Sequence, residues 1–273
     1  MSRCAVLGTP IRHSLSPVLH RAAYAELGLD WTYESHEMAE SDLPAFLDGL
    51  DETWRGLSLT MPLKRSVVPL LDELRDRADQ ARAANTVVLS DGRRTGHNTD
   101  VPGASAALRE RWEGPVERAV ILGGGATAAS TLLGLADLGC REVTLLVRDE
   151  GLAAATLATA ARHPHPPSVA VRRLGSTPPP ADVLVSTVPA TAQGAGVTDL
   201  VEGVEVVFDV VYDPWPTPLA VAAGEAGKVL VAGLDLLVHQ AVLQVRLMTG
   251  RGADSLLGVM RRAGEHALEG RSA

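Results

Sequence analysis

The run Gly123-Gly124-Gly125-Ala126-Thr127-Ala128 sets two glycines and a small alanine at the spacing G-x-G-x-x-A. An apolar stretch, residues 116–122, precedes it, and a helix-forming stretch of small residues, 126–138, follows. In a strand–turn–helix unit this order makes an anion site. Gly123 permits the tight turn, Gly125 lets a pyrophosphate approach the backbone, and Ala128 lets helix and strand pack closely. The helix N-terminus adds unpaired N–H groups and the positive end of its dipole. No Gly-Lys-Ser/Thr follows, so the turn is not an ATP-type phosphate loop. The expected ligand is a dinucleotide held by residues 123–128, although a tight βα turn that binds nothing has the same spacing.

The next strand ends Val147-Arg148-Asp149. An acidic residue near this point often accepts a hydrogen bond from the ribose 2′-hydroxyl of NAD. Arg148 comes first here, and a guanidinium pairs well with a 2′-phosphate, so the expected cofactor is NADP, with NAD as the alternative. Asp149 has three available roles: ribose acceptor, helix N-cap or solvent-facing side chain.

A second group of polar residues lies where elements end. His13-Ser14-Leu15-Ser16-Pro17 places two hydroxyls at the mouth of a helix, suited to a carboxylate. Thr60 and Lys64 flank a strand-to-helix junction, and Asn85-Thr86 and Asn98-Thr99-Asp100 add amide, hydroxyl and carboxylate groups. Each also has a purely structural role open to it. Ser16 and Thr60 are capping residue types, Asn98 suits a turn, and Lys64 suits a solvated surface.

The elements that must carry these groups alternate. In the first hundred residues, strands are expected at 3–7, 32–38, 56–60 and 86–89, the last followed by the turn signal Asp91-Gly92. Helices are expected from the N-cap Ser16 with Pro17 at N1 to residue 27, over 41–50, and from Pro62 through 74. Beyond Asp100, strands at 116–122, 142–147, around 170, 181–187, 204–211 and 229–232 alternate with helices at 126–138 and 152–161. Their apolar runs are continuous, as a parallel sheet covered on both faces requires. Helices over 234–248 and 254–268 complete the chain.

Composition narrows the function. The 273 residues carry 25 basic and 33 acidic side chains, a net charge of -8, which offers no bulk attraction to nucleic acid or anionic membrane. No apolar run is long enough to span a bilayer, and the N-terminus lacks a signal peptide's basic and apolar regions; a cytoplasmic location is expected. Cys4 and Cys140 lie in separate apolar stretches, which predicts buried unpaired thiols and no cysteine-based metal site.

Taken together, these motifs resemble the shikimate dehydrogenase family over nearly the whole chain. The pieces, in order, are His13-Ser14-Leu15-Ser16-Pro17 with His20, Leu59-Thr60-Met61-Pro62-Leu63-Lys64, Ala84-Asn85-Thr86-Val87 and Gly96-His97-Asn98-Thr99-Asp100-Val101-Pro102-Gly103. The glycine turn follows, then Asp209-Val210-Val211-Tyr212-Asp213-Pro214 with Thr217 and Leu219, and Gly233-Leu234-Asp235-Leu236-Leu237-Val238-His239-Gln240.

The resemblance implies a two-domain α/β fold: an N-terminal substrate domain (1–102), a Rossmann-like dinucleotide-binding domain (103–236) and C-terminal helices (237–273) that return to the first domain. It implies an active site in the cleft between the domains and reduction of 3-dehydroshikimate to shikimate with NADPH. Ser14, Ser16 and Thr60 would bind the substrate carboxylate, Lys64, Asn85, Asp100 and Gln240 would surround the ring hydroxyls, and Tyr212 would complete the pocket. Lys64 would transfer the proton with Asp100 orienting it, and Gly233 would lie near the nicotinamide. No metal is required, and the family includes monomers and homodimers.

This chain departs from the usual family pattern at Ser58 and Arg21, both commonly Asn, and at Val147-Arg148-Asp149, often Asn-Arg-Thr. Its turn also reads Gly-Gly-Gly-Ala where the family often has Gly-Ala-Gly-Gly-Ala. The nearest alternative is therefore a quinate or aminoshikimate dehydrogenase using NAD or NADP. A non-catalytic dinucleotide-sensing module would bind cofactor without turnover; it usually lacks Lys64 or Asp100, and both are present.

Overall fold

A computed structural model describes residues 1–272, which divide into two compact units. The first comprises Met1–Thr99 and the chain from Leu237 onward; the second is Asp100–Leu236.

The first unit begins with β1 (Ser2–Gly8), α1 (Ser16–Glu26), β2 (Trp31–Glu37), α2 (Leu43–Asp48), β3 (Trp54–Leu59) and α3 (Leu63–Ser66). It continues through β4 (Glu73–Leu74), α4 (Asp76–Ala81), β5 (Thr86–Ser90) and β6 (Arg93–His97). The sheet order is β2-β1-β3-β5-β6-β4. β1 pairs in parallel with β2 and β3, whereas β3–β5 and β5–β6 are antiparallel. The β5–β6 hairpin turns at Asp91 and Gly92, both left-handed (φ 52° and 72°), the pairing a two-residue type I′ turn demands. One face of the sheet buries Ala5, Leu7, Leu57, Leu59 and Val87 with Leu43, Leu47 and Leu63 from the short helices.

Two expectations for this unit are corrected. The helix expected to run from Pro62 through 74 stops at Ser66; a 3-10 turn (Val68–Leu70) and the edge strand β4 replace its second half. Pro69 has no N–H to donate and its ring would clash with the carbonyl four residues back, so the helix ends. Ser16 does not cap α1 but is its first residue; the hydroxyl of Ser14 accepts from the Ser16 N–H at 3.3 Å.

The second unit runs α5 (Asp100–Arg111), β7 (Arg118–Leu122), α6 (Ala126–Asp137), β8 (Glu142–Val147), α7 (Ala154–Ala160), β9 (Ser168–Arg173) and β10 (Val183–Ser186). It goes on through α8 (Ala195–Thr198), β11 (Val206–Asp209), α9 (Pro218–Glu225) and β12 (Val229–Val231). All its strands are parallel, in the order β12-β11-β10-β7-β8-β9. This is the doubly wound dinucleotide-binding order, with its reversal between β7 and β10. Consecutive residues of one strand serve opposite cores: Ile121 packs on one face and Val120 and Leu122 on the other, and Leu145 and Leu146 divide likewise. That two-sided burial is why the apolar runs are continuous rather than alternating.

The chain leaves the second unit along α10 (Gly233–Thr249) and ends in α11 (Leu256–Ser272). Residues from Leu237 onward belong to the first unit, where α11 packs on α1. A Cβ on Gly56 of β3 would lie 2.5 Å from Met248 Cγ, so glycine is what lets α10 sit this close to the sheet.

Both thiols are buried and unpaired, and burial pushes Cys4 up to about 11 and Cys140 up to about 12. Among the described residues, no helix is long and apolar enough to cross a membrane, and no cluster of His, Cys, Asp and Glu is arranged to hold a metal.

Candidate functional site

In the first unit, strand direction gathers the polar residues at one sheet end. β1 and β3 are parallel, so Gly8 and Thr60 follow strands that finish side by side. The chain after Gly8 carries Ser14 and Ser16; the chain after Thr60 carries Lys64. β5 is antiparallel to β3, so Asn85, just before β5, arrives at that same end, where its carbonyl accepts from the Leu59 N–H at 2.8 Å. β6 leaves there as well, leading into Asn98 and Thr99.

Backbone contacts hold these residues close. Thr60 N–H donates to Leu7 at 2.9 Å, Thr9 N–H donates to Met61 at 2.9 Å, and Ala84 N–H donates to the Lys64 carbonyl at 2.8 Å. A Cβ on Gly8 would lie 2.3 Å from Thr60 Cγ2, so the Thr60 side chain rests directly over the end of β1. Lys64 is half-buried, as are Ser14 and Thr60.

Asn85 is buried and engaged at both ends of its amide. Its Oδ1 accepts from the Thr99 N–H at 2.8 Å and the Thr86 hydroxyl at 2.9 Å. Its Nδ2 donates to Thr99 Oγ1 at 2.9 Å and to Gln240 Oε1 at 3.2 Å. Asn98 donates to the Ala83 carbonyl at 3.0 Å, the turn-shaping use open to it in the sequence. Asp100 follows Thr99 directly but is the first residue of α5, buried, in the second unit.

Sequence reasoning overlooked a layer beneath these residues. Tyr33, fully buried on β2, donates to Ser58 Oγ at 2.6 Å, and Ser58 donates to Gln244 Oε1 at 2.9 Å. Arg21 donates twice to the Tyr33 carbonyl, at 3.0 and 2.8 Å. Both positions that depart from the usual asparagine therefore converge on Tyr33. Gln244 lies one helical turn beyond Gln240, the signal that would have found it.

His20 stacks on Tyr33, with ring centroids 4.0 Å apart and planes 18° apart, and contacts the Ser16 carbonyl at 2.9 Å. A carbonyl only accepts, so Nδ1 carries the proton; Nε2 has no hydrogen-bond partner among the described residues. Burial holds the imidazole down at about 4, with the Ser16 carbonyl pulling partly the other way. An unfolded histidine binds its proton near 6.5, so stability should fall as pH drops from about 6.5 to about 4. The 6.5-to-4 gap corresponds to about 3 kcal/mol. Urea unfolding of the wild type and of His20→Phe at pH 7 and pH 4.5 checks this. The wild type should lose most of that amount relative to the variant; parallel losses would assign the acid sensitivity elsewhere.

In the second unit, the parallel strands bring the remaining residues to their carboxyl ends. Gly123 is left-handed (φ +107°), and a Cβ there would lie 2.4 Å from Thr187 Oγ1. The Thr187 hydroxyl donates to the Leu122 carbonyl at 2.7 Å, tying the ends of β7 and β10 at the point of sheet reversal. The carbonyl of Gly124 accepts from Thr156 at 2.9 Å. Gly125 caps α6 in extended conformation (φ −81°, ψ −172°), and nothing lies within 4 Å of where its Cβ would be. Ala126 and Thr127 form the first turn of α6, and Ala128 is fully buried against the sheet. A glycine with open space before it, at a helix N-terminus on a doubly wound sheet, fits a pyrophosphate.

Arg148 is exposed at the end of β8. Asp149 takes one of its three available roles: its Oδ1 accepts from the Gly151 N–H at 2.9 Å, capping a 3-10 turn (Glu150–Ala153). That turn occupies the start of the helix expected over 152–161, which begins only at Ala154.

Tyr212 lies in the loop after β11, which is anchored by Asp209. The buried Asp209 carboxylate accepts from Thr217 at 2.6 Å, Gln193 at 2.9 Å and the Val211 N–H at 3.2 Å; burial pushes its pKa up against those donors. A Cβ on Gly233 would lie 2.5 Å from the Val210 carbonyl oxygen, so glycine lets α10 begin directly against this loop.

Residues 6–87 match the family model described as the shikimate dehydrogenase substrate binding domain, and residues 233–263 match the shikimate 5′-dehydrogenase C-terminal domain. Shikimate dehydrogenase (NADP(+)) of Moorella thermoacetica is 33% identical over 97% of this chain and 92% of its own length. The crystal structure of Mycobacterium tuberculosis shikimate dehydrogenase matches with a TM-score of 0.87 at 38% identity, covering 98% of this chain and 100% of that one. Quinate dehydrogenase from Corynebacterium glutamicum, solved in complex with NAD, matches with a TM-score of 0.85 at 28% identity, over 97% and 99% of the two chains. The Moorella thermoacetica relative is named for NADP(+) and the Corynebacterium glutamicum one is in complex with NAD, and each match covers 97% of this chain. With a relative of this identity spanning nearly its whole length, the chain belongs to the shikimate dehydrogenase family.

Proposed function

We propose that this protein is an NADP-dependent shikimate dehydrogenase, catalysing the reversible reduction of 3-dehydroshikimate to shikimate on the route to chorismate and the aromatic amino acids. The observation that carries this reading is the gathering of Ser14, Ser16, Thr60, Lys64, Asn85 and Gln240 at one sheet end of one unit, each on a different loop or element. Hydroxyls from Ser14, Ser16 and Thr60 suit a carboxylate. The ammonium of Lys64 and the amides of Asn85 and Gln240 suit ring oxygens, with Tyr212 completing the pocket.

Gly123, Gly124, Gly125, Ala126, Thr127 and Ala128 would hold the pyrophosphate, Arg148 the 2′-phosphate, and Gly233 would border the nicotinamide. Bound NADPH supplies the hydride. Lys64 donates a proton to the oxygen as negative charge develops there, and returns as base in the reverse direction. Asp100 orients the Lys64 ammonium and the reacting hydroxyl. The small-molecule substrate needs no nucleic-acid or membrane partner.

Initial rates at the nicotinamide absorbance band, crossing shikimate and quinate with NADP and NAD, test both substrate and cofactor. Shikimate with NADP should give the highest kcat/KM. Arg148→Ala should cost about tenfold in kcat/KM for NADP and little for NAD, the loss of a charge-assisted phosphate contact. Comparable wild-type efficiency with both cofactors would remove Arg148 from specificity. The quinate and NAD reading is kept as the second, because the Corynebacterium glutamicum relative is a quinate dehydrogenase in complex with NAD. Faster turnover of quinate would favour it.

A further inference from the structure

The buried hydrogen bonds of the first unit run in one direction. Tyr33 donates to Ser58, Ser58 to Gln244, Gln244 Nε2 to Thr86 at 3.0 Å, Thr86 to Asn85, and Asn85 to Gln240. Gln240 Nε2 ends the chain on the Leu237 carbonyl at 2.8 Å.

Three backbone groups fix that direction. The Asn85 carbonyl can only accept, so the Gln244 atom 3.1 Å from it is the amide nitrogen. Gln244 Oε1 therefore faces Ser58, whose single hydrogen goes to it, and the Tyr33 phenol must donate to Ser58 in turn. On the other side, Gln244 donates to Thr86, so the Thr86 hydrogen points at Asn85 Oδ1. The Thr99 N–H reaches the same oxygen and fixes the Asn85 amide the same way round. The Leu237 carbonyl does this for Gln240, whose Oε1 faces Asn85 and Thr99.

We propose that Gln244 is a positioning residue that, beside the Thr99 N–H and the Leu237 carbonyl, reinforces the hydrogen-bond polarity of the substrate pocket. Through Thr86 it keeps the Asn85 carbonyl turned into the protein, and Asn85 does the same to Gln240. Both Asn85 Nδ2 hydrogens go to Thr99 and Gln240, and one Gln240 Nε2 hydrogen goes to Leu237. What the network turns toward a ligand is therefore the second Gln240 N–H, which selects an oxygen that accepts, as ketone and hydroxyl oxygens do. A directed chain of this kind polarises each of its members, so its middle is where a break costs most. Gln244, Ser58 and Tyr33 touch no ligand in this scheme. The inference rests on the reading that Gln240 faces the substrate.

Gln244→Met keeps the length of the side chain and removes all three hydrogen bonds of its amide; Thr86→Val keeps the shape and removes the relay hydroxyl. Each should raise the KM for shikimate about tenfold, the cost of one misdirected buried hydrogen bond. The Kd for shikimate, titrated calorimetrically without nucleotide, should rise in parallel, while KM for NADP and kcat stay within about threefold. The double variant should be no worse than the poorer single, because both cut the same link. Unchanged shikimate KM and Kd in both single variants, equal shifts for shikimate and NADP, or full additivity would overturn the proposal. A wild type that turns over neither shikimate nor quinate would instead overturn the functional reading, and the proposal with it.

Discussion

Replacing Lys64 with alanine is expected to lower kcat by about 10²–10⁴-fold, the usual contribution of a positioned general acid or base. The backbone at Lys64 is fixed independently of its side chain, by the Ala84 N–H on the Lys64 carbonyl and by the burial of Leu63 beside it. The substitution should therefore leave the fold, and the nucleotide turn in the other unit, as they are. Stopped-flow single turnovers with saturating NADPH and 3-dehydroshikimate isolate the chemical step, and nucleotide fluorescence gives the Kd of the cofactor. The expected pattern is a slow hydride step with an unchanged cofactor Kd. Lys64→Arg should rescue poorly, because a guanidinium keeps its charge but does not release its proton. A loss under about fivefold in Lys64→Ala is below what proton transfer contributes and would remove Lys64 from the chemistry. Asp100→Asn adds a control: if Asp100 only orients Lys64, combining it with Lys64→Ala should cost little beyond Lys64→Ala alone.

How far such residues were legible in the sequence depended on whether their partners were local. The nucleotide unit announces itself because a two-sided parallel sheet needs continuous apolar strands, and because the turn at Gly123 combines strand, glycines and helix within a few residues. Lys64, Asn85 and Gln240 could be named from motifs, yet their convergence rests on pairings between distant segments. Antiparallel β5 beside β3 is what carries Asn85 to the end of the sheet that Thr60 occupies. Gln244 and the Asn85 carbonyl it holds are 159 residues apart, and no local pattern joins them. The helix expected through residue 74 shows the opposite failure. Its apolar residues have helical spacing, but they serve a 3-10 turn and an edge strand once Pro69 breaks the hydrogen-bond ladder. Asp149 could not be assigned in advance because its partner, the Gly151 N–H, becomes available only when the backbone turns there.

The glycine turn itself separates structure from function, and Gly125→Val is the variant that does so. Gly123 is glycine for the protein's sake: its φ of +107° and the 2.4 Å approach of Thr187 Oγ1 exclude a side chain whether or not anything binds. Substitution there should cost about 1–3 kcal/mol of stability, which would confound any binding measurement. Gly125 has neither reason. Its extended backbone suits valine, and its missing side chain faces open space. What remains is the preference for glycine over valine at an N-cap, about 1 kcal/mol, and a ligand that must come within contact distance of the helix N-terminus. Gly125→Val should therefore melt within about 4 °C of the wild type, the cost of a poorer N-cap with no backbone strain. Its Kd for NADPH should rise on the order of 100-fold, because a branched side chain would hold the pyrophosphate off two charge-assisted N–H bonds of about 1.5 kcal/mol each. Shikimate binding, most of whose proposed contacts lie in the other unit, should not change. Unaltered NADPH affinity in this variant would mean that the pyrophosphate does not lie on this turn, and a large fall in melting temperature would mean that the space beside Gly125 is needed by the protein itself.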